Sequence, residues 1–171
     1  MKQRLSVWVA GILLVAAGAR ALEPIEERIG PLAPGMFSAE VERALGAPEA
    51  NPGAEEPGRV ETIWHYPAQD LTLTLVASRQ GLVPTLESIV AGRASPLHTT
   101  RGIGIGSTRA DVLAAYGEQA GAMGMDNLLT LDLPGGYLDI DLTPDATGER
   151  RVERMVLSAE VRFTDDEELQ D

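Results

Sequence analysis

The feature that most constrains this chain is a twelve-residue motif that occurs twice. Residues 35–46 read GMFSAEVERALG and residues 106–117 read GSTRADVLAAYG. In the second copy, Thr108 and Asp111 have the spacing of a capping box, and the closing glycine suits the end of a helix. In the first copy, Phe37 takes the place of the capping threonine, so we expect that helix to begin at Ser38. The repeated motif predicts two short helices in a duplicated chain.

Strand patterns follow each predicted helix. Residues 49–58 are rich in Gly, Pro and acids and are predicted to form a surface loop. Alternating apolar residues then predict strands at 59–66, 71–76 and 85–90. Trp64 and Tyr66 fall on the face that carries Leu71 and Leu73, so core packing is the favoured interpretation for both aromatic side chains.

The second half repeats this order. Apolar alternation over 129–133 and 138–142, and again over 152–156, predicts three more strands. We therefore predict an α+β fold of two tandem repeats, each a short helical segment packed on one face of an antiparallel β-sheet. Repeat 1 is placed at residues 35–91 and repeat 2 at 102–159, with a linker at 92–101.

The two ends of the chain have separate signatures. Residues 1–21 combine a basic start, an apolar run too short to span a bilayer and the A-x-A sequence Ala19-Arg20-Ala21, which predicts a signal peptide cleaved after Ala21. An uncleaved membrane anchor is the alternative. Residues 22–34 are predicted to be an exposed lead-in, and residues 160–171 an acidic tail. The chain has no cysteine, so we expect a periplasmic or secreted protein without disulfides or a lipid-bearing cysteine.

The net charge narrows the possible partners. The chain carries 26 acidic and 14 basic residues, and three of the basic residues lie in the predicted signal peptide. Such an acidic surface repels nucleic acid and anionic lipid, and it favours basic partners or cations. Solubility alone is the simpler explanation of the charge.

The predicted strands leave one polar sheet face, which we regard as the candidate binding surface. If the two sheets lie side by side, their polar residues form one broad acidic face, although a merely solvated face is the alternative. Tyr137, beside two glycines at a hairpin tip, is a further candidate contact or a simple turn residue. The candidate partner-binding residues are Glu61, His65, Thr72, Thr74, Asp132, Tyr137, Asp139, Asp141 and Glu153, with Thr130 on the same face.

Catalytic and metal-binding patterns are weak. His65 and His98 fall in different elements, and no serine or cysteine nucleophile lies in a recognisable setting. Asp139, Asp141 and Asp145 lack the glycine turn and the closing glutamate of a calcium loop. The glycines at 102–106 precede a helix without a phosphate-binding lysine, so they are interpreted as the start of that helix. We expect no catalytic residues, no metal and no cofactor.

The capped helix followed by a Trp-x-Tyr strand resembles the SmpA/OmlA family of small outer-membrane assembly lipoproteins, also called BamE. Two units in tandem are similar to the beta-lactamase inhibitory protein. The residues that carry the resemblance are Gly35, Val41, Leu45, Gly46, Pro48, Trp64 and Tyr66 in the first unit and Gly104, Gly106, Thr108, Val112 and Gly117 in the second. Unlike those proteins, this chain has no lipidated cysteine and no disulfide.

The resemblance implies a fold and a role in binding proteins, without naming a partner. The sequence prediction is a non-catalytic, exported protein–protein interaction module, either an accessory of envelope assembly or an inhibitor of a secreted enzyme. The alternative is a small-ligand carrier or a hydrolase that uses a pocket between the repeats. The oligomeric state is left open.

Overall fold

A computed structural model describes residues 25–78, 83–117 and 127–159. Its elements, in chain order, are α1 (Ser38–Leu45), β1 (Glu49–Glu56), β2 (Arg59–Tyr66), β3 (Leu71–Ser78), β4 (Thr85–Ala91), α2 (Arg109–Tyr116), β5 (Leu128–Leu133), β6 (Gly136–Pro144) and β7 (Arg150–Ala159). The predicted signal peptide and acidic tail lie outside the described residues. In the described ranges, no helix is long and apolar enough to cross a membrane.

All of these strands belong to one antiparallel sheet, in the order β1-β2-β3-β4-β7-β6-β5. Strands β4 and β7 pair at its middle, so the strands before and after α2 form one continuous sheet. The two described helices pack on the same side of it, α1 against β4 and α2 against β7. Val41 and Val112 carry this contact and are fully buried. The predicted α+β class is confirmed.

Alternation along the strands decides which side chains enter the core. Trp64 pairs with Leu73, and Tyr66 pairs with Leu71, so the four side chains lie on the helix side of the sheet. Trp64 is 8% exposed and Tyr66 4% exposed, which confirms their predicted burial. The Tyr66 hydroxyl donates a hydrogen bond of 3.1 Å to the Gly46 carbonyl at the end of α1, so the ring also holds the helix.

Two predictions about chain segments are wrong. The segment predicted as a loop at 49–58 contains β1, which pairs with β2 as an exposed edge strand. A neighbouring strand with free backbone groups overrides the low strand propensity of Pro52 and Gly53. The predicted lead-in is only partly exposed from residue 25 onwards, because Ile25, Ile29 and Leu32 enter the core.

The N-terminal caps of the two helices differ in one side chain. Thr108 Oγ1 accepts the Asp111 N–H at 3.1 Å, and Asp111 Oδ2 accepts the Thr108 N–H at 2.8 Å, so the predicted capping box is complete. At Phe37 only the reciprocal bond forms, from its N–H to Glu40 Oε2 at 2.8 Å, because a phenyl ring has no acceptor. The helix α1 thus begins at Ser38, as predicted, with half a cap.

The difference between the two caps predicts opposite effects of two substitutions on stability. Thr108→Ala is expected to lower the free energy of unfolding by about 1 kcal/mol, and Phe37→Thr to raise it by up to about 1 kcal/mol. The backbone at Phe37 (φ −70°, ψ 150°) already suits a capping threonine, as at Thr108 (φ −77°, ψ 161°), and Phe37 is 52% exposed. Urea unfolding of both variants measures the two changes. A loss of stability in Phe37→Thr would show that the phenyl ring contributes packing that the cap does not replace.

Candidate functional site

The side of the sheet away from the helices, here called the open face, collects the predicted binding residues. The register places His65 beside Thr72, and Thr74 beside Ser88. The segments before α1 and α2, represented by Ile29, Leu32 and Ile103, pack into the core on the helix side. The predicted residues on it are Glu61, His65, Thr72, Thr74, Thr130, Asp132, Tyr137, Asp139, Asp141 and Glu153.

The middle of the open face is uncharged. Val90 and Val156 are paired across the β4–β7 junction, and Thr72 lies next to Val90. Ser88 and Ser158 also pair across the junction, with their hydroxyl oxygens 2.8 Å apart. The centre of this face therefore offers the methyl groups of the two valines, whose removal from water is favourable, while the two serine hydroxyls already bond to each other and Ser158 is 6% exposed.

One rim of the open face is an ion-pair cluster on the first half of the sheet. Arg59 bonds to Glu87 through both terminal nitrogens, at 2.8 and 2.6 Å, and its Nη2 lies 2.6 Å from Glu61 Oε1. The hydrogen bond to Glu87 is the largest cause of the raised pKa of Arg59, so this guanidinium stays charged. Glu61 was identified from the sequence, whereas Arg59 and Glu87, the other two members of the cluster, were not.

The opposite rim, on the second half, contains the other predicted carboxylates. Asp141 accepts a bond from Arg154 Nε at 2.6 Å, and Glu153 contacts Arg93 and the Thr143 hydroxyl. Asp139 accepts the Thr130 hydroxyl at 2.6 Å. The expectation of one broad acidic surface is thus refined, because arginines neutralise several of its acids.

Tyr137 and His65 flank the uncharged centre of the open face on opposite sides. Tyr137 is paired with Asp132 on one side and Ser158 on the other, and it is 38% exposed. Its ring is therefore available beside the uncharged centre. His65 Nδ1 lies 3.3 Å from Thr72 Oγ1 at the first-half end.

Two clefts open among the described residues. The larger, of about 410 Å³, lies at the second-half rim and is lined by Gly92, Arg93, Asn127, Asp141, Leu142, Thr143, Glu153 and Arg154. The smaller, of about 260 Å³, lies on the helix side by the end of β5 and is lined by Glu26, Glu27, Thr100, Arg101, Leu133 and Pro134. Neither contains His65 or His98. In the described ranges, no group of three or more His, Asp or Glu side chains is placed to hold a metal ion.

A buried carboxylate, Glu27, was missed by the sequence analysis. Its Oε1 accepts the Thr100 N–H at 2.7 Å, and its Oε2 lies 3.2 Å from the Tyr116 hydroxyl. That hydroxyl is also 2.8 Å from Thr99 Oγ1, and the Arg101 guanidinium lies 4.8 Å from the centre of the Tyr116 ring. Burial is the largest cause of the raised pKa of Tyr116, so the phenol stays neutral. The apolar alternation of Ile25 and Ile29 around Glu27 was the available sign of burial.

We call this group, made of Glu27, Thr99, Thr100, Arg101 and Tyr116, the Glu27 cluster. It joins the segment before α1 to the segment before α2 and to α2 itself. The same two segments also share the bond from the Gly30 N–H to the His98 carbonyl, at 2.8 Å. The arrangement is internally satisfied, and we assign it to holding the two helices together.

Comparison with protein-family models, curated proteins and solved structures gives no match to this chain, so the functional argument rests on the geometry of the open face.

Proposed function

We propose that this protein is a non-catalytic, exported module that binds another protein through the open face of its sheet. The observation that carries the proposal is the layout of that face, an uncharged centre between two rims of ion-paired side chains. Protein–protein interfaces have this layout, because a centre that loses water readily supplies binding energy while a polar rim supplies orientation.

The size of the open face fits this role. Strands lie about 4.8 Å apart and rise about 3.3 Å per residue, so seven strands of about eight residues span roughly 30 by 25 Å. That footprint approaches the roughly 800 Å² that each partner buries in a standard interface. The exposed Tyr137 ring at the border of the uncharged centre is the kind of aromatic side chain that dominates such interfaces.

We further propose that the module is a tandem repeat, and the strand registers support this. The pairs Leu73–Ile89 and Ile140–Met155 are equivalent under the sequence alignment. In both halves the register then shifts at equivalent positions, between Thr74 and Leu75 in β3 and between Asp141 and Leu142 in β6. Each helix is also preceded by a glycine turn that forms two backbone hydrogen bonds with the last strand of its half. These bonds join Gly35 and Met36 to Leu86, and Gly106 and Ser107 to Val152.

Under this duplication the pair Val90–Val156 lies on a local two-fold axis.

The alternative function is a small-ligand carrier or hydrolase that uses a pocket between the repeats. The cleft of about 410 Å³ is large enough for a small ligand, and it lies between the end of β4 and the second half of the sheet. Both observations favour this alternative. The two carboxylates in the lining of the cleft, Asp141 and Glu153, are held in ion pairs with Arg154 and Arg93, and the lining has no histidine, serine or cysteine. We therefore favour protein binding, as an accessory of envelope assembly or as an inhibitor of a secreted enzyme.

Affinity capture with charge-reversal variants tests the proposal. The full-length gene product, as processed by its host, is used to capture proteins from crosslinked envelope and culture fractions. We expect the native protein to retain one partner, and Asp139→Lys/Asp141→Lys to lose it, because both aspartates lie on the open face and like charges facing a basic partner cost binding energy.

Glu42→Lys is the charge-reversal control, since Glu42 is exposed on α1, on the other side of the sheet. It should capture as well as the native protein. Circular dichroism of every variant separates loss of binding from loss of folding. Equal capture by the native protein and the folded double variant, or no capture by the native protein, would remove the open face from the proposal.

A further inference from the structure

The two edges of the sheet differ in how well they could pair with another strand. Edge strand β1 carries Pro52 and a register shift between Pro52 and Glu55, and its exposed residues include several acids. Proline, bulges and charges are the features by which proteins keep sheet edges from pairing. The β1 edge is thus protected.

The opposite edge, β5, lacks most of these features. All six of its residues pair with β6 without a register shift, it contains no proline, and Asp132 is its one charged residue. A regular strand at the end of a sheet leaves alternate backbone N–H and C=O groups without a sheet partner. In the described part of the chain, β5 is therefore the edge that is competent to receive another strand.

The chemistry on either side of β5 specifies what that strand must carry. On the open face, Thr130 and Asp132 are followed on β6 by Tyr137, Asp139 and Asp141. An added strand that places basic side chains on this side would lie one strand spacing from Asp132 and two from Asp139 and Asp141, distances that a lysine or arginine side chain can span.

On the helix side the same strand presents only apolar groups. Leu129, Leu131 and Leu133 point there, and the cleft of about 260 Å³ lies beside Leu133 and Pro134. An added strand would continue this row of leucines, and one of its apolar side chains would contact Leu133 and Pro134, the apolar part of the cleft. A matching segment therefore alternates basic and apolar residues.

We propose that the β5 edge binds an extended segment of the partner protein, with alternating basic and apolar side chains, by adding it to the sheet as an antiparallel eighth strand. This inference rests on the proposed function and names how the partner is held. Backbone hydrogen bonds supply affinity in this mode, and the alternating side chains supply selectivity. A second copy of the chain fits less well, because its β5 would bring Asp132 and no basic group to the acidic side.

The probe is a synthetic peptide of alternating valine and lysine with blocked ends, about seven residues long to match the strand. We expect it to bind the full-length gene product and to perturb the amide resonances of β5. Two isomers, N-methylated at all valines or at all lysines, keep every side chain. Because only one alternate set of peptide amides faces β5, one isomer should lose about tenfold in affinity for each blocked bond and the other should keep it.

Several results would overturn the inference. Equal binding of both isomers, or a peptide that perturbs Thr72, Thr74 and Val90 but not β5, would mean that charge on the open face acts alone. That result leaves the proposed function standing. Absence of binding by the alternating peptide, while the native protein still captures its partner, would also reject strand addition. A dimer detected by sedimentation, together with β5 amides that are protected from hydrogen exchange, would assign the edge to a second copy of the chain.

Discussion

Leu157→Ala is expected to lower the free energy of unfolding by about 2–5 kcal/mol, the range for deleting a fully buried leucine side chain. Leu157 is 0% exposed and lies at the β4–β7 junction, paired with Ile89 on one side and Leu138 on the other. A cavity there removes contacts from both halves of the sheet. Both halves should therefore lose stability together, in a single transition.

The measurement is urea unfolding followed by Trp64 fluorescence, which reports on the first half, and by far-ultraviolet circular dichroism, which reports on the whole sheet. Val156→Thr is the control, because Val156 lies next to Leu157 but on the open face, and threonine has the shape of valine. We expect its free energy of unfolding to change by less than about 1 kcal/mol. Fluorescence and dichroism transitions that separate in Leu157→Ala would mean that the two halves unfold independently.

The second large effect concerns the Glu27 cluster. Glu27→Ala is expected to cost about 1–3 kcal/mol, because the change leaves partly buried hydrogen-bond donors without their charged acceptor. The donors are the Thr100 N–H and the Tyr116 hydroxyl, and Glu27 itself is 7% exposed. The segments before α1 and α2 should lose their connection, so faster hydrogen exchange is expected at the amides of Gly30 and Thr100.

Glu26→Ala provides a close control, since Glu26 is the exposed neighbour and carries the same charge. Its effect on the free energy of unfolding should stay within about 0.5 kcal/mol. If Glu26→Ala and Glu27→Ala are equally mild, the Glu27 cluster adds nothing to stability. Glu27→Gln separates charge from shape, because the amide still accepts one of the two hydrogen bonds.

Local signals explain what the sequence could predict. The Thr108–Asp111 spacing is a short-range device, so the helix that it caps was predicted at its observed start. The burial of Trp64 and Tyr66 followed from alternation with period two, which a regular strand imposes on its own residues.

Long-range contacts explain what it could not. Nothing in β1 favours a strand, because Pro52 and Gly53 are typical of loops, and only the free edge of β2 makes it one. The pairing of Arg154 with Asp141 depends on a register shift that lets Val152 and Met155, three positions apart, both face the core. Alternation alone places one of them outside, so the arginine partner of Asp141 was hidden.

The most direct measurement for the central claim is photocrosslinking from the open face in the native host. Tyr137 and Phe37 are each replaced by benzoylphenylalanine, an aromatic-for-aromatic change at two exposed positions, one on the open face and one before α1. We expect a discrete crosslinked partner from position 137 and none from position 37. A partner crosslinked from position 37 and not from position 137, or none from either, would contradict binding through the open face.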